Sequence, residues 1–218
     1  MWQKLLEELT DTGFLPIAVA FDARGPKAAR PWIEAAKPTY PCLIDANHRV
    51  AELYNMINVP QAVWIDEEGI IVRPTETAGS SDAFRRMDRT TGKMPEDDAA
   101  ASRARRTAYL DALRDWAHKG SASQFVMEAD KAESRTKALT PEQTLGNANF
   151  RLGEYLHRAG KVDQAQAYLT EAKRLRPESW AFKRQAWNLE HELKAGGPEF
   201  WAAVEALGDS NYYEPAEL

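Results

Sequence analysis

One stretch, residues 54–73, restricts the folds open to this chain more than any other. It holds a short apolar run at residues 62–65 (AVWI) and a second one at residues 70–72 (IIV), separated by an acidic turn that ends at Gly69. An apolar run of this length, without alternation, is typical of a strand covered on both faces. A glycine between two such runs favours a tight turn. The sequence therefore predicts a β-hairpin with a buried core.

The residues directly before the hairpin are Asn58, Val59 and Pro60. A proline at this position removes no hydrogen bond from the strand ladder. A cis Val59–Pro60 bond would turn the chain sharply out of the helix that apolar spacing predicts over residues 47–57. We therefore predict that this bond is cis.

The hairpin and the segments before it resemble a known family. The segment NVPQAVWIDEEGIIVR is similar to the cis-proline hairpin of the thioredoxin fold, in its TlpA-like and peroxiredoxin-like redoxin branch, and the likeness extends upstream through PCLIDANHRVAELYNMI and IAVAFD. The resemblance implies an α/β thioredoxin-like domain over residues 1–90, with thiol–disulfide oxidoreduction as the parent activity. It also implies a peptide-binding surface at Val59, Pro60 and Gln61, although Pro60 can equally be a turn that only positions the hairpin.

The resemblance does not reach the catalytic motif of the family. Residues 14–21 (FLPIAVAF) form a short, continuous apolar run, which predicts a buried parallel strand that stops at Asp22. In TlpA-like proteins a CxxC lies at the start of the helix before a strand of this kind, and in this chain that helix is predicted over residues 2–9. The sequence begins inside this helix, so the CxxC and the family's first strands are missing. Either the sequence is an incomplete reading of a longer protein, or the deletion is real. In the second case residues 17–21 and 62–65 have to pair with each other or with a second copy, as a homodimer through unpaired strand edges.

Cys42 is the only cysteine, so neither an intramolecular disulfide nor a CxxC can form. Because dithiol exchange needs two thiols, the chain is not expected to catalyse it unaided. Cys42 lies in a short predicted strand beside Leu43 and Ile44, where a cysteine usually packs as an inert, small hydrophobic residue. A monothiol role, peroxidatic or through a mixed disulfide, makes Cys42 a weak candidate for a catalytic residue.

The second half of the chain has the signals of a helical domain, predicted over residues 140–210. Thr140, Pro141 and Gln143 form the pattern of a capping box with proline at the first helical position. The helix predicted from there breaks at Gly160, and a second helix stops before Pro177. The pair resembles one tetratricopeptide repeat in length and in its small residues. A lone repeat cannot bury its apolar face, so further helices, predicted over residues 178–193 and 198–207, have to cap it, or it docks on the first domain.

Between the two domains, residues 91–139 are predicted to be a connector and one helix. Residues 89–101 (RTTGKMPEDDAAA) are polar and lack apolar periodicity, which indicates a loop. Apolar spacing predicts a helix over residues 103–118. Residues 121–138 carry no clear signal.

Composition excludes several classes of function. The formal net charge of −5 gives no electrostatic reason to bind nucleic acid or an anionic membrane. The sequence has no run of 18 apolar residues and no signal-peptide pattern at its start, so as written the protein is expected to be cytoplasmic. We expect no cofactor.

Other polar and aromatic groups have a structural interpretation at this stage. The acidic turn Asp66, Glu67 and Glu68 is expected to be solvated rather than to bind a metal. The histidines are scattered and are expected at the surface: His48, His118, His157 and His191. The tryptophans of the helical half are expected to pack, with a peptide groove as the alternative: Trp116, Trp180, Trp187 and Trp201.

The sequence thus favours a thioredoxin-like protein of the oxidoreductase type that is inactive as this chain. The alternative is a non-catalytic protein-interaction scaffold that uses the tetratricopeptide-like helices. In both cases the expected partner is a protein or peptide.

Overall fold

The structure, a computed structural model, describes residues 1–136, 138–190 and 196–218. Helices make up most of the regular structure, and the strands are few and short. The helices are α1 (Trp2–Glu8), α2 (Pro26–Ala36), α3 (Arg49–Leu53), α4 (Glu96–Lys119), α5 (Ala129–Arg135), α6 (Pro141–Arg158), α7 (Val162–Leu175), α8 (Trp180–Glu190) and α9 (Pro198–Glu205). The strands are β1 (Ala18–Ala20), β2 (Cys42–Ile44), β3 (Gln61–Ile65) and β4 (Ile71–Thr77).

The predicted hairpin is present as strands β3 and β4, which pair antiparallel. Its turn is built on Asp66, whose Oδ1 accepts hydrogen bonds from the amides of Glu68 and Ile70 at 3.1 and 2.7 Å. Gly69 has φ +82°, a left-handed conformation that glycine adopts without steric cost. The Val59–Pro60 bond before the hairpin is cis, as predicted.

A second, separate sheet contains β1 and β2, which pair parallel with Ala18 opposite Cys42 and Ala20 opposite Ile44. Both predicted strands are therefore present. The prediction that β1 is buried is wrong, because the strand pairs along one edge only and Ile17 just before it keeps 57% of its surface exposed. In the described part of the chain, β1 and β3 belong to different sheets and do not pair with each other.

The core of the hairpin is closed by the long helix α4. Trp64 of β3 donates from Nε1 to the hydroxyl of Tyr109 at 2.9 Å and stacks on Trp116 with ring centroids 5.1 Å apart. Leu5 and Leu9 of the N-terminal helical segment complete this cluster. The buried ring of Trp64 and its hydrogen bond to Tyr109 together orient the hairpin on the helix.

Helix α4 begins at Glu96, so the prediction of a loop over residues 89–101 is wrong for its second half. Three acidic residues, at positions 96–98, lie in the first turn, where their negative charges interact favourably with the positive end of the helix dipole and stabilise the helix start. The alanines that follow have high helix propensity. This first part of the helix is largely solvated, and so it lacks the apolar periodicity that marks residues 103–118.

Part of the unassigned region, residues 121–138, folds against the hairpin. Helix α5 packs on β4. Just before it, the amide of Met127 donates to the carbonyl of Val72 at 3.1 Å. This short helix therefore forms in a tertiary context rather than from a strong local signal.

The helical pair α6–α7 confirms the predicted capping box. Thr140 Oγ1 accepts from the amide of Gln143 at 3.2 Å, and Gln143 Oε1 accepts from the amide of Thr140 at 3.1 Å. Where the helices cross, a Cβ on Gly153 would lie 2.7 Å from Cγ of Leu169. Glycine is therefore required for this close approach.

The pair is covered by later helices and by the first half of the chain. Phe150 stacks on Phe182 of α8, with ring centroids 4.0 Å apart. Gln185 of α8 donates to the carbonyl of Phe21 and accepts from the amide of Ala23, both at 3.0 Å. The expectation that flanking helices cap the pair, or that it docks on the first half, is confirmed in both respects. The end predicted for the helix over residues 178–193 lies outside the described residues.

The tryptophans of the helical half pack in the interior, as predicted. Trp180 and Trp187 are buried with Phe200 and Val204 in one cluster, and Trp201 packs against its border. Trp116 lies against the hairpin core.

Replacing Gly153 with valine should lower the free energy of unfolding by about 1–3 kcal/mol, because the added atoms overlap the buried Leu169. Denaturant unfolding followed by circular dichroism measures this. Ala148→Val is the matched control, since Ala148 is exposed on the same helix. Equal stability of the two variants would contradict the close packing of α6 on α7.

Candidate functional site

The loop Asn58–Gln61 is held by hydrogen bonds from its own side chains. Gln61 Oε1 accepts from the amides of Ile57 and Asn58 at 2.8 and 3.0 Å. Asn58 Oδ1 accepts from the amide of Val59 at 2.9 Å. Gln61 therefore shapes the loop from within, while Val59 and Pro60 are exposed.

A segment without helix or strand, residues 211–218, lies across this loop. Asn58 Nδ2 donates to the carbonyl of Tyr212 at 2.9 Å. The hydroxyl of Tyr213 donates to the carbonyl of Val59 at 3.0 Å. The loop thus contacts both the backbone and a side chain of another part of the molecule.

Asp82 binds the same segment from the other side. Its Oδ2 accepts from the amide of Tyr212 at 2.8 Å, and its Oδ1 accepts from the amide of Tyr213 at 2.7 Å. Hydrogen bonds to a carboxylate are stronger than those between neutral groups. One side chain therefore fixes two consecutive peptide units.

Aromatic rings enclose the side chain of Tyr212, which is 4% exposed. Its ring centroid lies 4.4 Å from that of Trp180 and 4.9 Å from that of Phe84. Burial raises the pKa of the Tyr212 and Tyr213 hydroxyls, so both stay protonated at neutral pH. The Tyr213 hydroxyl can therefore donate to Val59.

The sequence did not point to this arrangement at Asp82, Phe84 and Tyr212. Asp82 stands more than 100 residues before the tyrosines, and nothing in its local sequence distinguishes it from a helix-capping residue. The pair of adjacent tyrosines near the end of a polar stretch was the one available signal.

Cys42 lies in β2, in a different sheet from the strand that follows Pro60. Its side chain is half-buried and is a free thiol. Burial, and after it the neighbouring Cys42, raise the pKa of the Tyr40 hydroxyl. The structure does not unite Cys42 and Pro60 in one sheet.

The prediction that all histidines lie at the surface is wrong for His48, which is 2% exposed. Its Nδ1 lies 2.8 Å from Oε1 of Glu154, which is itself 1% exposed, although the angles do not make this contact a hydrogen bond. The ring also packs edge-on against Phe150 at 5.0 Å. Glu154 follows Phe150 by four residues on the buried face of α6, which was the overlooked signal.

The remaining histidines differ from one another. His118 is exposed, as predicted. His157 is half-buried, with Nε2 3.0 Å from the carbonyl of Leu189. His191 lies outside the described residues.

No group of three or more histidine, cysteine, aspartate or glutamate side chains able to hold a metal ion occurs within residues 1–136, 138–190 and 196–218. In the acidic turn, Glu67 and Glu68 are exposed, while Asp66 forms the turn itself. The turn is therefore explained without a metal.

Replacing Glu154 with alanine should lower the free energy of unfolding by about 1–3 kcal/mol, because it leaves the buried ring nitrogens of His48 without their polar neighbour. Glu171→Ala, which removes the partner of exposed Arg174 on the neighbouring helix, should leave the free energy of unfolding nearly unchanged. Thermal and urea unfolding measure both.

Adding His48→Ala to the Glu154 variant separates the contact from simple loss of packing. The two changes should cost less together than the sum of the single changes. Additive costs would show that His48 and Glu154 do not interact.

Across the described residues, no helix combines the length and the apolar character needed to cross a bilayer. Comparison with protein-family models, with curated proteins and with solved structures found no match.

Proposed function

We propose that this chain is a thioredoxin-like protein of the thiol–disulfide oxidoreductase type that has lost dithiol catalysis in this form and acts by binding another protein or peptide. The contacts of the loop Asn58–Gln61 with residues 211–218 carry the proposal, because they support a site that recognises polypeptide backbone and aromatic side chains. The resemblance of the hairpin to redoxins agrees with a surface of this kind.

The chemistry of the single thiol supports the non-catalytic part of the proposal. A dithiol protein reduces a disulfide in two steps: its first thiol forms a mixed disulfide with the substrate, and its second thiol attacks that mixed disulfide. The substrate then leaves as two thiols, and the protein is left with an internal disulfide. With Cys42 alone, the reaction stops at the mixed disulfide. The half-buried position of Cys42 in β2 further slows attack on a large substrate.

A scaffold role of the helical half is the second candidate. Three large apolar side chains, Leu145, Leu152 and Tyr155, are exposed along one face of α6. Their spacing of seven and three residues forms a stripe of the kind that packs against an amphipathic helix. An amphipathic helix of a partner could bind this stripe without separating α6 from α7.

We also propose that the free edge of β1 pairs with a second copy of the chain. Ile17 and Leu43, at 57% and 53% exposed, border this small sheet, and two short strands alone are marginally stable. Unpaired apolar edges promote association between chains.

Sedimentation should therefore detect a dimer whose fraction rises with concentration. Ile17→Lys, which places a charge beside the edge, should shift the population to monomer, whereas Ile70→Lys, an exposed change in the hairpin turn, should not. A monomer at all concentrations for the unmodified chain would exclude this pairing.

The purified chain should reduce insulin or a small model disulfide no faster than the uncatalysed reaction with the same external reductant, because it has one thiol. Turnover is measured by insulin turbidity or by thiol release. Cys42→Ser is the control and should behave identically. Turnover that disappears in Cys42→Ser would overturn the non-catalytic proposal.

A further inference from the structure

The segment 211–218 is bound by side chains as a peptide ligand would be. Asp82 accepts from two of its amides, Asn58 donates to the carbonyl of Tyr212, and Arg73 donates to the carbonyl of Glu217 at 2.7 Å. Such contacts recognise the backbone of a peptide at defined points. They fix both ends of the segment on one surface.

Side-chain pockets along this surface define a sequence preference. Tyr212 enters the aromatic pocket beside Phe84 and Trp180. Tyr213 stands edge-on to Phe84, with ring centroids 5.8 Å apart, and donates to Val59. The second and third positions of the segment therefore favour adjacent aromatic residues, and a hydroxyl on the later of the two.

The far end of the surface is basic. The carboxylate of Glu217 lies 2.8 Å from Nζ of Lys131 and 3.8 Å from the Arg135 guanidinium. The hydrogen bond from Lys131 lowers the pKa of this carboxyl. These groups are partly solvated, so they orient the segment more than they hold it.

The second half of the segment is incompletely packed. A pocket of about 170 Å³ remains between Pro215, Ala216 and Leu218 on one side and Gly79 and Arg105 on the other. Protein interiors rarely hold voids much larger than a water molecule. This part of the segment therefore lies over the core rather than within it, which lowers the cost of lifting it away.

We propose that residues 211–218 are an internal ligand of a peptide-binding groove formed by Asn58, Asp82, Phe84 and Trp180. A peptide with two adjacent aromatic residues, followed four residues later by a carboxylate, displaces them. The inference rests on the proposed function, since it takes the chain as a peptide-binding protein and names the ligand class. Because the internal segment is part of the same chain, it competes for the groove at a high effective concentration. A peptide in solution therefore needs a higher affinity to displace it.

The test uses the full chain and a fluorescein-labelled peptide with the sequence of residues 211–218. In Tyr212→Ala/Tyr213→Ala the groove residues are intact but the internal ligand is weakened. Fluorescence anisotropy should show that this variant binds the peptide about tenfold or more tightly than the unmodified chain. A peptide with both tyrosines replaced by alanine should not bind.

Glu214→Ala is the matched control variant. Glu214 is exposed in the same segment, and its carboxylate contacts only Asn211 among the hydrogen bonds described. Peptide affinity of this variant should equal that of the unmodified chain. A double variant that is folded by near-ultraviolet circular dichroism yet binds the peptide no better than the unmodified chain would overturn the proposal.

Hydrogen exchange of the unmodified chain keeps the proposal testable if the double variant does not fold. The amides of Tyr212 and Tyr213 should exchange through local opening, at least tenfold faster than the amides of Tyr109 and Leu113 in the hairpin core. Exchange at the rate of the core would show that the segment leaves only on global unfolding, and would overturn displacement. The insulin assay tests the absence of dithiol catalysis separately. Failure of that proposal can therefore be distinguished from failure of peptide displacement.

Discussion

The packing of Trp64 against helix α4 is the contact on which the rest of the structure depends. A two-stranded hairpin is marginally stable alone, and here its buried face is completed by Tyr109 and Trp116. With the hairpin fixed, the loop that precedes β3 and the chain that leaves β4 acquire defined positions. These two segments carry Asn58 and Asp82, so the groove for residues 211–218 is a consequence of the hairpin's docking.

Buried polar side chains join parts of the chain that are distant in sequence. Arg73 forms two hydrogen bonds with Glu76, at 2.8 and 2.7 Å, and also donates to the carbonyls of Phe125 and Glu217. His48, just before α3, lies against Glu154 of α6. A buried ion pair such as Arg73–Glu76 adds little net stability relative to apolar residues, because desolvation opposes the attraction between the charges. Loss of one partner is costly, however. These contacts therefore penalise other arrangements of the segments they join more than they strengthen the observed one.

The proposals share one chemical basis. A chain with a single half-buried thiol cannot complete dithiol exchange, whereas its loops and helices present hydrogen-bonding and aromatic groups suited to polypeptide. The groove at Asp82 and the apolar stripe on α6 are separate surfaces, and each favours a different partner: an extended aromatic peptide for the first and an amphipathic helix for the second. Occupation of the groove by the chain itself makes binding there conditional on release of residues 211–218.

Local signals in the sequence determined the hairpin, the turn at Gly69, the cis Val59–Pro60 bond and the α6–α7 pair with its capping box at Thr140. Each depends on residues within a few positions of one another, whose conformational preferences act before any tertiary contact forms. Tertiary structure alone decided that β1 is only partly buried, that His48 is buried against Glu154, and that Asp82 binds the amides of Tyr212 and Tyr213. These outcomes depend on which surfaces meet across more than 100 residues of chain, or on a neighbouring strand that no local pattern specifies. The local apolar pattern predicts which face of a segment prefers burial. Which other part of the chain covers that face is decided only when the whole chain packs.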